Sequence, residues 1–205
     1  MNKDDITLEK LFTIATAKDY KIFDNNGMFD YNLNIWGFRS NSSDTKYYND
    51  VFAIFWQRLS GTWDMELFTG TTKPSDVLLI NPVNPDGAAI VVPDQYRKLW
   101  SFGFHHNRRD HKALIQFSPI KVYRDSDDDA TLDEDDSTIQ EGMFGINMHH
   151  GSLNGTDVIG AYSAGCQVHE DINRYNNVFI PLIESSVKEG NTTFSYTLCL
   201  EDDLL

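Results

Sequence analysis

Apolar positions recur along this chain in two rhythms, one near four residues and one of two. Close to the N-terminus Leu8, Leu11, Phe12 and Ile14 fall at near-helical spacing, with Thr7 or Asp5 placed to cap them, so a helix is predicted over about 7–20. A second helix is predicted over about 171–189, where Ile172, Tyr175, Phe179, Leu182, Ile183 and Val187 recur behind Asp171, and Gly190 ends the run. Pro181 lies inside it and should kink it or split it in two.

Between these helices the period shortens to two. After the turn signal Asn25-Asn26-Gly27, residues 31–38 alternate as a strand. Residues 51–58 and 62–69, separated by Ser60-Gly61, form a hairpin in which Trp63, Met65 and Leu67 alternate with Thr62, Asp64 and Glu66. Short β-type runs follow at 77–80, 88–92, 113–117 and 119–123, the first three divided by NPVNPDG and VPDQYRKLW, and a last strand is expected over 193–200 before an acidic tail that frays. Residues 145–149 also alternate, with Ile146 and Met148 on one face and Asn147 and His149 on the other. A turn-rich stretch over 151–156 and a short strand over 158–162 then lead into Ser163-Ala164-Gly165-Cys166. Neither an internal repeat nor a linker interrupts the pattern, which predicts one mainly β domain with flanking helices.

Composition narrows the functions open to it. With 205 residues, 40% hydrophobic and 13% aromatic, the chain can bury a full core. A formal charge of -14 and a pI near 4.6 exclude nucleic-acid binding, which needs basic clusters to neutralise phosphate. The same charge repels anionic lipids and wall polymers, so contact with such a polymer must be made locally, in a cleft. No 18 apolar residues run together, and MNKDDITLEKLF carries no apolar core of a signal peptide, so neither membrane insertion nor signal-directed export is expected. Cys166 and Cys199 are expected as free thiols, Cys199 as a core residue.

Chemistry concentrates in GINMHHGSLNGTDVIGAYSAGCQVH, residues 145–169. A cysteine attacks as thiolate, and an imidazole within hydrogen-bond reach can take its proton. Strand pairing can bring His149, or His150 one place on, to Cys166, while Gly165 lets the backbone approach a carbonyl and N–H groups near Gly165 and Cys166 can hold an oxyanion. Asn147, on the His149 face, and Gln167, next to the thiol, are candidate substrate contacts. Tyr96 and Arg97, with Gln95 and Trp100, either frame a substrate groove or simply cover the sheet. His105, His106 and His111 suggest zinc, but Arg108 and Arg109 oppose a cation and no regular ligand spacing is present, which leaves a solvated loop or a basic rim for a substrate carboxylate. In DSDDDATLDEDD, Asp125, Asp127, Asp129, Thr131, Asp133 and Asp136 follow the oxygen rhythm of a calcium loop, with Ala130 where glycine is wanted; the competing reading is a solvated acidic loop.

The order of His149, a glycine-bearing segment and Ser163-x-Gly165-Cys166 is similar to the signature of L,D-transpeptidase (YkuD-type) catalytic domains, and Gly70-Thr71-Thr72-Lys73-Pro74 resembles the threonine-proline segment after their first hairpin. That resemblance implies a mixed β-sandwich, Cys166 as nucleophile, His149 as base with His150-Gly151 as the tail of the histidine motif, Ser163 and Gly165 as the residues before the nucleophile, and no cofactor for catalysis. It implies acyl transfer on peptidoglycan stem peptides, by a peptidase or a transpeptidase. Two departures stand out: Ala164 replaces a second histidine, and Gln167-Val168 replaces an apolar-arginine pair. The blocks NPVNPxG, VPxQYR, VYRD and SAGCQV are similar to phage-encoded proteins, which implies an endolysin-like peptidase in the host cytoplasm before release, or a virion or holin context. The alternative is a non-catalytic virion or wall-binding protein, calcium-dependent in one form, that keeps the fold.

Overall fold

In the computed structural model, which describes residues 1–153 and 156–205, the alternating runs become β1 (Asn34–Arg39), β2 (Asp50–Gln57), β3 (Trp63–Thr71), β4 (Ala88–Val91), β5 (Gln95–Phe104), β6 (Lys112–Gln116), β7 (Ile120–Asp125), β8 (Gln140–Gly142), β9 (Met148–His150), β10 (Gln167–His169) and β11 (Thr193–Leu200). Eight of them close into a barrel in the order β1-β11-β5-β6-β9-β10-β3-β2, and β4-β7-β8 form a small second sheet. Two joints of the barrel, β1 with β11 and β9 with β10, are parallel; the other six are antiparallel. A sandwich was the expectation for the sheet. A barrel arises because β11 pairs with both β1 and β5 while β3 pairs with both β2 and β10, which leaves no open edge.

Both faces of β1 and β2 are covered, and alternation divides their side chains between two cores. Ile35, Phe52 and Ile54 face the interior with Phe68, Met148, Tyr196 and Leu198, while Trp36, Phe38, Val51 and Phe55 face outward. Helix α1 (Leu8–Lys18) lays Leu11, Ile14 and Ala15 on that outer face, with the Thr7 hydroxyl accepting the Lys10 N–H and Asp19 in the left-handed region as its stop. Each fully buried Phe, Leu or Ile contributes about 1.5–3 kcal/mol.

The second predicted helix plugs the barrel. Asp171 caps α3 (Ile172–Arg174), which passes through a π turn (Tyr175–Phe179) into α4 (Ile180–Lys188), and Tyr175, Phe179 and Ile183 enter the inner core. The π turn ends just before Pro181, which stands in the first turn of α4.

Four expectations change. Residues 77–80 lie in a helix, α2 (Asp76–Ile80), because the Ser75 hydroxyl accepts the Leu78 N–H and only Leu79 is buried. Residues 158–162 make no strand: Val158 forms a single bridge to Tyr47, and Gly160, at φ 55°, turns the chain into a 3-10 segment (Gly160–Tyr162). QYRKLW, taken as a divider, lies in the longest strand, β5, whose register slips opposite Phe194 and Tyr196 where Lys98 adopts φ 55°. The acidic tail does not fray: Glu201–Leu204 forms a 3-10 turn, Asp203 binds Lys18 at 2.8 Å, and Leu204 is buried beside α1. No helix among the described residues is long and apolar enough to cross a membrane.

Candidate functional site

The motif straddles the parallel joint between β9 and β10. Gln167 stands opposite Met148, Val168 opposite His149 and His169 opposite His150, and the Gln167 N–H donates to the Asn147 carbonyl at 2.8 Å. One step back, Cys166 therefore faces Asn147, and period-two alternation puts Cys166, Asn147, Val168 and His149 on one face. His150 projects to the opposite face, where its ring meets Tyr175 at 5.4 Å.

The loop that carries the thiol is braced from the Gly70–Pro74 segment. The Ser163 hydroxyl lies 2.7 Å from the Lys73 carbonyl and 2.8 Å from that of Cys166, the Gly165 N–H donates to it, and the Ser75 N–H donates to the Ser163 carbonyl at 2.9 Å. Lys73 is itself buried, its ammonium held by Ser40, Ser42, Asn49 and, at 3.3 Å, Asp50. Thus the two sequence blocks that share a resemblance are in direct contact. Gly165 has φ 117°, and a Cβ there would lie 2.3 Å from the Ala89 carbonyl oxygen, so only glycine fits. Gln167 is fully buried: it accepts from the Tyr196 hydroxyl at 2.6 Å and donates to the Gly165 carbonyl at 3.2 Å, which fixes the loop from beneath.

Cys166 itself is half-buried and packs against the cluster of Tyr48, Ile159 and Val168. Its sulfur lies 3.5 Å from the Asn147 N–H, which donates to it, and 3.5 Å from the Gly145 carbonyl, which accepts from it. Among the described residues no imidazole is hydrogen-bonded to the thiol. Burial pushes its pKa up to about 11, with the Asn147 N–H as the opposing influence, so the resting side chain is a neutral thiol.

Imidazoles gather around His149 and His150. His149 is 2% exposed; its Nδ1 sits 2.8 Å from the His150 carbonyl, which makes Nδ1–H the donor and leaves Nε2 as a bare, buried acceptor without a partner. His150 repeats the pattern on the Gly151 carbonyl at 2.8 Å. Burial holds both rings neutral, that of His149 well below the usual histidine range. His105 stacks on His149 at 4.0 Å and His111 on His150 at 3.9 Å, and His106 contacts His105 at 4.0 Å. His105 Nδ1 lies 3.4 Å from the Asn147 side-chain amide, so Asn147 touches the thiol through its backbone and the imidazoles through its side chain. In the 105–111 segment His106 and Arg108 to Asp110 are exposed, as a solvated loop requires, while His105 and His111 pack on the motif; His105 is 8% exposed, and burial and its histidine neighbours push its pKa to about 4. Three clustered histidines were its signal, but their packing onto β9, more than thirty residues later in the chain, left no local trace. The sixth, His169, points into the barrel among Phe52, Phe68, Tyr175 and Phe179.

Other candidates stay apart from this centre. The Tyr96 hydroxyl donates to the Val92 carbonyl at 2.6 Å, Arg97 lies over the Phe23 ring, and Trp100 is buried with its indole N–H on the Ile146 carbonyl. In the acidic tract Asp125 is 1% exposed, with one oxygen accepting the Asp133 N–H and the other unpartnered. Asp127 and Asp129 cap backbone N–H groups two residues on, and Thr131 and Asp136 are exposed. Among the described residues no three His, Cys, Asp or Glu side chains are arranged to hold a metal ion.

A groove of about 360 Å³ opens beside the thiol loop, lined by Leu78, Pro85, Ala89, Arg124, Phe144 and Ala164 among others. Comparison of the chain with protein-family models, with curated proteins and with solved structures finds no match.

Proposed function

We propose that the protein is a cysteine-dependent acyl-transfer enzyme acting on peptidoglycan stem peptides, most simply an endolysin-like peptidase carried in a phage setting. The observation that carries this reading is the register of β9 on β10, which gives Cys166 and His149 one face of adjacent strands behind a turn that only Gly165 can make. His149 enters as base because its Nε2 is bare and neutral, whereas His150 lies on the other face. In the reaction the Cys166 S–H turns from the Gly145 carbonyl, gives its proton to Nε2, and sulfur bonds to the scissile carbonyl carbon. N–H groups near Gly165 and Cys166 receive the oxyanion, the C–N bond breaks, and the imidazolium returns the proton to the leaving amine. Water then releases the acyl group as an acid, or an amine takes it as a new cross-link. No cofactor enters these steps.

Calcium at Asp125, Asp127, Asp129, Thr131, Asp133 and Asp136 is a structural part of the same proposal. Its support is the buried Asp125 carboxylate, which has an unpartnered oxygen and is crowded by the like charges of Asp127, Asp129 and Asp133.

A stem tetrapeptide incubated with the protein and quenched in acid tests the chemistry. An acyl mass on the Cys166 peptide, absent in Cys166→Ala, is expected; a Cys166 peptide unmodified at every quench time while products form in both proteins sinks the proposal. One observation favours a second reading, a non-catalytic virion or wall-binding protein: among the described residues the thiol is hydrogen-bonded to backbone alone.

A further inference from the structure

Arg124 sits at the wall of the groove beside the thiol and is 7% exposed, yet no carboxylate among the described residues lies within ion-pair distance of it. In a chain with 31 acidic and 17 basic residues, that isolation is informative. Arg39, Arg58, Arg108 and Arg174 hold a carboxylate, and Arg97 and Arg109, which among the described residues do not, are exposed where Arg124 is buried. A guanidinium stays charged even when buried, and burying it without a paired anion is costly; the Asp86 carboxylate acts on Arg124 only from beyond ion-pair distance. Two of its five N–H donors are used, Nε on the Gln140 side-chain oxygen at 3.0 Å and Nη1 on the Gly87 carbonyl at 3.2 Å, and its plane rests over the Phe144 ring at 4.6 Å. Those contacts fix the fork in place and leave the other donors unused.

The groove reaches the loop that carries the nucleophile, although Cys166 itself is not among its lining residues. Phe144 and Ala164 line it; the residue after Phe144, Gly145, accepts from the thiol, and the residue after Ala164, Gly165, packs on Ala89 in the groove wall. Its volume of about 360 Å³ lies at the small end of ligand pockets and suits one or two amino-acid residues.

We propose that this groove binds the acyl substrate through a free carboxylate held by Arg124, which positions the scissile carbonyl at Cys166. The inference rests on the acyl-transfer reading for its substrate class, a short peptide ending in a carboxylic acid. Arg124 is a substrate-binding residue in this scheme and takes no proton.

Titration calorimetry on Cys166→Ala protein, with acetyl-Lys-D-Ala as probe in the free-acid and C-terminal amide forms, tests it without any chemistry. The acid should bind at least about tenfold more tightly than the amide, a difference that a charge-assisted bidentate contact supplies. In the Cys166→Ala, Arg124→Gln double variant the preference should vanish, and Arg124→Lys should retain part of it. Equal affinities, no binding of either peptide, or a preference that survives Arg124→Gln would overturn the proposal. Should Arg124→Gln fail to fold, the acid-to-amide comparison on Arg124 protein still decides. Because the thiol is absent, the result is independent of catalysis: turnover by wild-type protein with no acid preference would leave acyl transfer standing and remove the carboxylate site.

Discussion

The ionisation of Cys166 is the property on which the site's chemistry turns, and it can be measured directly. Among the described residues the sulfur's hydrogen-bond partners are the Asn147 N–H and the Gly145 carbonyl, and burial raises its pKa from 9.0 to about 11. At pH 7 the thiolate fraction is then about 10⁻⁴, against about 10⁻² for the unshifted thiol, so alkylation should be slower by about 100-fold from ionisation alone. Iodoacetamide labelling between pH 6 and 11, followed by mass spectrometry of each cysteine peptide, reads this rate. Cys199, fully buried against the outer core, serves as an inert internal control. The rate at Cys166 should climb about tenfold per pH unit to pH 10 and about fivefold over the last unit. A plateau with its midpoint below pH 8 would refute the reasoning, since it requires a cation or imidazolium paired with the resting sulfur.

Gly165→Ala forces a Cβ onto the Ala89 carbonyl at a φ of 117°, which should cost about 2–4 kcal/mol and lower the melting temperature by roughly 5–15 °C; a shift within about 2 °C in calorimetry contradicts the loop geometry. His169 is buried with both ring nitrogens unpartnered and a pKa pushed down to about 3, so the unfolded chain binds its proton first, and stability present above pH 6.5 is lost as pH falls towards 3. His169→Phe, which keeps the aromatic packing, should therefore raise the denaturation midpoint at pH 5, by roughly 2 kcal/mol from this residue, and a variant with the wild-type acid limb would show that the ring is not carried neutral. Calcium should raise the melting temperature of wild-type protein and not of Asp125→Asn; an unchanged melting curve at millimolar calcium dismisses the ion from the acidic loop.

Much of the frame was legible because its elements carry strong local signals. Thr7 and the Leu8, Leu11 and Ile14 spacing gave α1, and the alternation about Ser60-Gly61 gave the β2-β3 hairpin with Asp50 to Gln57 paired on Trp63 to Gly70. Failures cluster where tertiary contact decides. Four apolar residues at 77–80 satisfy either period, and the Ser75 cap tipped them to helix. β10 is only three residues long, exists through its pairing with β9 and β3, and is invisible to periodicity. Of the candidate site, alternation alone put Asn147 and His149 on one face, and Cys166 joined them only through the register of β10 on β9. Their distances were not legible, because the thiol's partners are backbone atoms set by the barrel's closure. Arg124 directly follows the run 119–123 and carries no site signal in the sequence; that it is buried without a paired acid could be seen only once Gly87, Phe144 and Gln140 had come together around it.

The account stands or falls on whether the Cys166 thiol performs acyl transfer on a wall peptide. Mass spectrometry of muropeptides, after purified peptidoglycan is incubated with wild-type protein and with Cys166→Ala, asks this most directly. New fragments or new cross-links with wild type alone are the predicted result, and their masses separate hydrolysis from transfer. Identical muropeptide profiles for wild type, Cys166→Ala and untreated wall, across several peptidoglycan types, would contradict it and leave the fold as a binding or structural scaffold.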